Sequence, residues 1–167
     1  MDVFFKLFKA LNANQHPEQI ALSFVLGMIL GLTPLFFAHN FLTLALIFVL
    51  RVNLSAVIVA FILFSGLAYL LDPVFNQVGL ILLAEPSLTA IFTEMYNQGI
   101  WRILHFNNSI VIGSILVAYA LSIPAFYVFL FLVRSYRKRF LAWVTKLKIV
   151  QWLDRSEKAK FIAEIVE

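Results

Sequence analysis

The chain has 167 residues, 62% of them apolar and only 13% charged, where a soluble domain carries about a quarter charged residues. A water-soluble fold of this size could not hide so much apolar surface, and the lack of cysteine removes disulfide frameworks, thiolate metal sites, iron–sulfur clusters, c-type haem and cysteine nucleophiles. The net charge of +4 gathers beside apolar runs and does not cover a polar face, which reads as a topology signal and speaks against a nucleic-acid partner.

Residues 1–16 come first. Val3, Phe4, Phe5, Leu7, Phe8 and Leu11 surround Lys6 and Lys9, the helical spacing of an amphipathic interfacial helix on a bilayer surface; a helix packed on the soluble side of a bundle is the other reading. The same lysines would suit a secretory signal, but no small-x-small cleavage site follows in residues 31–37 and more apolar spans come after, so the start is read as uncleaved.

Residues 17–133 are read as a membrane domain. Pro17 suits a first helical turn, and Ile20 to Thr33 is apolar until Pro34. A helix begun at Pro17 reaches only about 25 Å, slightly short of a hydrocarbon core of about 30 Å. Leu35 to Leu50 is similar in length and stops at Arg51. Residues 17–50 therefore form a short hairpin broken at Thr33-Pro34, either re-entrant or crossing as two thin spans.

The 20 uncharged residues from Val52 to Leu71 are the clearest span, closed by Asp72-Pro73. Residues 72–108 carry Asp72, Glu85, Glu94 and Arg102 with breaks at Glu85-Pro86 and Gly99. This periplasmic or interfacial segment is expected to hold two short helices, with Tyr96 and Trp101 as interfacial anchors. Residues 109–133 are a second long span of 25 uncharged residues, in which Pro124 is tolerable if a neighbouring helix satisfies the freed carbonyl. Residues 134–167 open with Arg134, Arg137, Lys138 and Arg139 and include Trp143 and Trp152, a basic cytoplasmic tail of amphipathic helix. The expected fold is thus all-α: a polytopic helical membrane protein with a Pro-broken N-terminal hairpin, two long spans and amphipathic interfacial helices at both ends.

Charge sets the orientation. With both termini and Arg51 cytoplasmic and residues 72–108 outside, 12 of the 13 Lys and Arg lie inside, leaving only Arg102 out. The inner side then holds 12 bases against 6 acids and the outer side 1 against 3, or +6 and −2, which sum to the +4 of the chain.

Little in the sequence carries chemistry. No Asp, Glu, Lys or Arg falls within an apolar run, and His16, His39 and His105 lack the close spacing of a metal site. No catalytic residue, metal or cofactor is expected. Pro34, His39 and Asn40 form a candidate polar site, in which His39 and Asn40 either line a polar cavity binding a headgroup or ion, or hydrogen-bond the broken backbone, or simply sit at the far interface. Ser23, Gly27 and Gly31 make a small-residue ridge, and Ser114, Ala118 and Ser122 a weaker one. Both suit helix packing, within the monomer ahead of a homo-oligomer. Arg134, Arg137, Lys138 and Arg139 are candidate contacts for anionic lipid, or serve to fix orientation. Asn53-Leu54-Ser55 and Asn107-Asn108-Ser109 match a glycosylation pattern but are read as helix caps.

Several stretches are familiar in their order: Pro17-Glu-Gln-Ile-Ala-Leu, Gly27-Met-Ile-Leu-Gly-Leu-Thr-Pro34, Arg51-Val-Asn-Leu-Ser-Ala56, Asp72-Pro-Val-Phe and Trp101-Arg-Ile-Leu-His-Phe-Asn-Asn-Ser109. Residues 15–135 resemble a family of small, uncharacterised bacterial inner-membrane proteins. That family is related to a wider group sharing G-x-x-x-G-x-x-P followed by R-x-N-L. Leu35 to Asn40 departs from the glycine-containing turn of the wider group. The resemblance implies a Gram-negative envelope and large periplasmic partners in envelope or lipid maintenance. The expected function is a non-enzymatic accessory subunit with an integral-membrane or periplasmic protein partner and membrane lipids around it; the alternative is an oligomeric transporter or channel for a small solute or lipid.

Overall fold

The computed structural model describes residues 16–50 and 52–144, with side chains as far as Arg139. The expected N-terminal interfacial helix, Arg51 and the tail beyond Val144 lie outside the described residues. Within them the chain is all-helical: α1 Pro17–Leu32, α2 Ala38–Val49, α3 Leu54–Leu83, α4 Thr89–Asn97, α5 Gly99–Ile103 and α6 Ser109–Val144.

α1 lies at the centre. It is apolar on every side, and its residues from Ile20 to Leu32 are buried with the exception of Leu22, as expected of a helix with no polar face. α3 and α6 pack on it and on each other, while α2 lies against α1. The register of α1 and α3 advances together. Ser23 Oγ accepts the backbone N–H of Asn53 at 2.8 Å, Gly27 lies against Val57 and Ala60, and Gly31 against Phe61 and Phe64. α1 and α3 are therefore parallel, and α2 is the return leg between them. α6 runs antiparallel to both: Gly113 meets Phe75 and Gly79 meets Ser109, while Phe24 and Phe129 rings lie 5.3 Å apart.

Among the described residues two helices are long and apolar enough to cross a membrane, Leu54–Leu83 and Ser109–Arg139. Both outrun their expected ends. α3 continues through Asp72-Pro73 for about three more turns, to Leu83. A proline removes one amide and disfavours helix in the residue before it, but tertiary packing wins here. Phe75 is 1% exposed and Gly79 is buried against α6, and Ser109 Oγ donates to Asn76 Oδ1. α6 likewise does not stop at Val133 but carries Arg134 to Arg139 on the same helix, with Pro124 inside it. Asn53 caps α3 by accepting from Ala56 N–H at 3.0 Å, and Asn108 caps α6 by accepting from Ile110 N–H at 2.9 Å, as read from sequence. The two expected short helices between the spans are α4 and α5.

Candidate functional site at the broken hairpin

Pro34 ends α1, and the residue before it, Thr33, adopts an extended conformation that proline imposes on its predecessor. Five residues then separate α1 from α2, and their carbonyls need partners. Asn40, 1% exposed, supplies them: its Nδ2 donates to Pro34 O at 2.8 Å and to Leu35 O at 3.3 Å. Thr33 Oγ1 lies 2.8 Å from Ile29 O and 3.1 Å from Asn40 Oδ1, and its single proton serves one acceptor at a time. Thr43, one turn on and also buried, donates from Oγ1 to His39 O at 3.1 Å and stands 3.5 Å from the Tyr119 hydroxyl of α6. The buried face of α2 is thus Asn40, Thr43 and Ile47: two polar residues holding the turn and its neighbour, then one apolar residue entering the core.

His39 behaves differently from Asn40. Its Nε2 is buried and has no hydrogen-bond partner among the described residues, although such groups are ordinarily satisfied. The ring stacks beside Phe37 at 6.4 Å, and Phe37 meets the edge of His105 at 5.5 Å. A cavity of about 200 Å³ adjoins His39, bordered by Phe37, Trp101, Phe106 and Ile115. Among the described residues no three His, Asp or Glu gather as a metal site.

His105 is a site residue that spacing alone does not reveal. It has φ 51°, the left-handed region that glycine favours. Its N–H bonds to Arg102 O at 3.0 Å and the next N–H, of Phe106, to Trp101 O at 3.2 Å. This is the Schellman closure of α5, with histidine where glycine is usual. The side chain stays in place against Phe37, so the turn after α5 touches the turn after α1.

The hairpin reaches far along α3. Thr33, Pro34 and Leu35 border a cavity of about 310 Å³ together with Ser65, Tyr69 and Asp72 of α3. At the opposite end Arg134 of α6 pairs with Glu18 in the first turn of α1, where a carboxylate is favoured by the helix dipole. The Glu18 carboxyl is held below its ordinary value by its backbone hydrogen bond first and by Arg134 second. Of the four candidate lipid-binding bases, Arg134 therefore already has a partner, and Lys138 and Arg139 are exposed.

Of the packing ridges, Ser23, Gly27 and Gly31 form the α1 seam against α3, within the monomer. On α6, Ser114 and Ala118 are fully buried whereas Ser122 is only partly so. Ser114 and Ser122 turn their hydroxyls back to Val111 O and Tyr119 O.

A family model matches residues 4–141. The chain belongs to that family, DUF2062, described as uncharacterized proteins conserved in bacteria. The motif order from Pro17 to Ser109 had pointed to an uncharacterised bacterial family, and the match extends beyond it at both ends. An uncharacterized protein of Treponema pallidum (strain Nichols) is 25% identical over 133 residues, covering 80% of this chain and 82% of that one. No solved structure matches the DUF2062 chain.

Proposed function

We propose that this protein is a multi-pass protein of the bacterial inner membrane, with N and C termini cytoplasmic, working as a non-enzymatic accessory subunit to an integral-membrane or periplasmic partner in envelope or lipid maintenance. The carrying observation is where the apolar side chains lie. Only 22% of the most apolar stretch of α3 and 6% of that of α6 is buried within the bundle, whereas the core helix of a soluble protein is mostly covered. Phe48, Ile81, Ile123 and Phe131 are each about seven-tenths exposed, and water does not tolerate so continuous an apolar surface.

Orientation rests on the 12 of 13 basic residues placed inside. The parallel run of α1 and α3 supports a hairpin that crosses as two thin legs: its turn lies beside Asp72, the far end of the uncharged stretch of α3. The accessory reading is supported by how the polar groups are used. Asn40 and Thr43 are engaged by the hairpin itself, and the glycine ridges are filled by neighbouring helices, leaving the outer apolar faces of α2, α3 and α6 for lipid or partner helices.

A second reading has one observation in its favour. The His39 Nε2, without a hydrogen-bond partner among the described residues and beside a cavity, suits a transporter with a solute or lipid site near the broken helix. Labelling and pull-down separate the claims. Lys6→Cys, Arg51→Cys and Arg137→Cys are expected to react from the cytoplasmic side and Glu94→Cys from outside; outside reaction at position 51 overturns the orientation. Mild-detergent purification followed by mass spectrometry is expected to recover a stable protein partner, whereas a homo-oligomer with co-purified solute supports transport.

A further inference from the structure

A cavity of about 330 Å³ lies between α4, α5 and the turn that leads to α6, walled by Phe92, Tyr96, Trp101 and Phe106. These rings hold one another. Phe92 and Phe106 are 5.8 Å apart, as are Trp101 and Phe106, and Trp101 Nε1 donates to Gln98 Oε1 at 3.1 Å. The wall is a fixed apolar surface.

Arg102 borders the same cavity, its guanidinium carbon 5.8 Å from the centre of the Tyr96 ring, within cation–π range. It is the only Lys or Arg in residues 72–108, where Asp72, Glu85 and Glu94 are available, yet among the described residues it forms no ion pair with any of them. Thr93 and Asn107 add polar groups to the lining. A guanidinium offers forked donors that match phosphate oxygens, and the aromatic wall offers a surface that only hydrocarbon would gain by covering. A free phosphate would leave the wall unused, and an uncharged chain would leave the cation unmatched.

We propose that this cavity binds one anionic phospholipid, its phosphodiester against Arg102 and the start of an acyl chain against Phe92, Trp101 and Phe106. The inference rests on residues 72–108 lying at a membrane interface, which the Glu94→Cys labelling tests separately. Selection comes from charge at Arg102, and capacity comes from the aromatic wall.

The experiment uses the full chain carrying Trp143→Phe and Trp152→Phe, so that Trp101 is the sole indole, reconstituted in phosphatidylcholine nanodiscs. Phosphatidylglycerol with brominated acyl chains is titrated in, against brominated phosphatidylcholine of the same chains. Trp101 fluorescence is expected to be quenched by phosphatidylglycerol at about fivefold lower mole fraction, the preference that one basic residue gives near an anionic surface. Arg102→Gln, at an exposed position, is expected to abolish the preference, leaving the two lipids to quench at the same mole fraction, and Arg102→Lys to keep part of it. Thr93→Phe, which fills the cavity from an exposed position, is expected to reduce quenching by both lipids. Equal quenching by the two lipids, a preference that survives Arg102→Gln, or quenching that Thr93→Phe leaves unchanged overturns the site. Displacement of phosphatidylglycerol by millimolar inorganic phosphate assigns the cation to a free anion and also overturns it.

Discussion

The two glycine contacts of the bundle differ in how they are built. Along α1, Gly27 and Gly31 are one turn apart on one face, and α3 lies across both, so a single helix supplies the whole groove. Between α3 and α6 the small residues come one from each helix: Gly79 faces Ser109 and Gly113 faces Phe75 and Gly79. The first contact is parallel and the second antiparallel. A groove on one helix leaves a fourth-residue repeat in the sequence, whereas a groove shared between distant helices leaves two isolated glycines 34 positions apart.

The most damaging way to break this comparison is at the shared groove. A Cβ at Gly113 would collide with the backbone oxygen and carbon of Phe75 and with Gly79 N, and backbone cannot rotate away. Gly113→Ala is expected to cost at least the roughly 1–3 kcal/mol of an overpacked core, seen as loss of monodisperse protein on heating and size-exclusion chromatography. On α1 the order should follow the neighbours. Gly27→Ala meets Val57 O and Ala60 Cβ, while Gly31→Ala meets Phe61 O and Phe64 Cβ at 2.8 Å, so Gly27 is expected to be the less tolerant. Gly66→Ala and Gly99→Ala have nothing within 4 Å and are expected to be silent; equal loss at Gly66 would mean that crowding at these contacts does not decide stability.

The same contrast explains what was legible in the sequence. The Ser23, Gly27 and Gly31 ridge, the Asn53 and Asn108 caps and the two short helices after α3 follow from local spacing and local chemistry. The continuation of α3 past Pro73 does not, because its support is Phe75, Asn76 and Gly79 packing on the start of α6, a contact that no window of sequence contains. A span that ends at Leu71 leaves Gly79 outside it, in the segment expected to hold two short helices, so the groove shared with α6 is not visible from the sequence. The site divides likewise: Asn40 beside Pro34 is a local repair of a broken helix, whereas His105 lies against Phe37 across almost seventy positions of chain. Nor does composition reveal that the short α1 is the buried centre of the bundle.

The hairpin turn sharpens the comparison on a smaller scale, because adjacent polar residues there have opposite roles. Asn40→Leu removes the donor to Pro34 O and Leu35 O, which are part-buried, so the cost is expected toward the lower end of the roughly 1–3 kcal/mol of an unmet buried carbonyl. Lower thermal stability in detergent is the expected outcome. His39→Leu removes a nitrogen that has no partner among the described residues, so it is expected to leave stability unchanged or slightly raised. A His39→Leu protein that is fully stable but fails to recover its partner or its function would assign the imidazole a ligand. Equal destabilisation by both changes would show that the ring nitrogen is bonded after all.

The smallest effect is expected where α1 meets α6 at the solvent-exposed end. Glu18 and Arg134 pair across 116 positions of sequence, but both side chains are about half exposed or more, and exposed pairs contribute little. The carboxyl of Glu18 lies below its ordinary value of 4.5, chiefly through its backbone hydrogen bond. A depressed carboxyl stabilises the fold fully above the unfolded value and loses that contribution as pH falls through the folded one. Between pH 7 and 5 the wild type and Glu18→Gln should therefore keep a constant small gap in thermal midpoint, closing only below about pH 4.5. The largest single cause is the backbone hydrogen bond at the helix start, so Arg134→Gln should narrow the gap without removing it. A gap that vanishes in Arg134→Gln would make the ion pair, and not the first turn of α1, the source of the stabilisation.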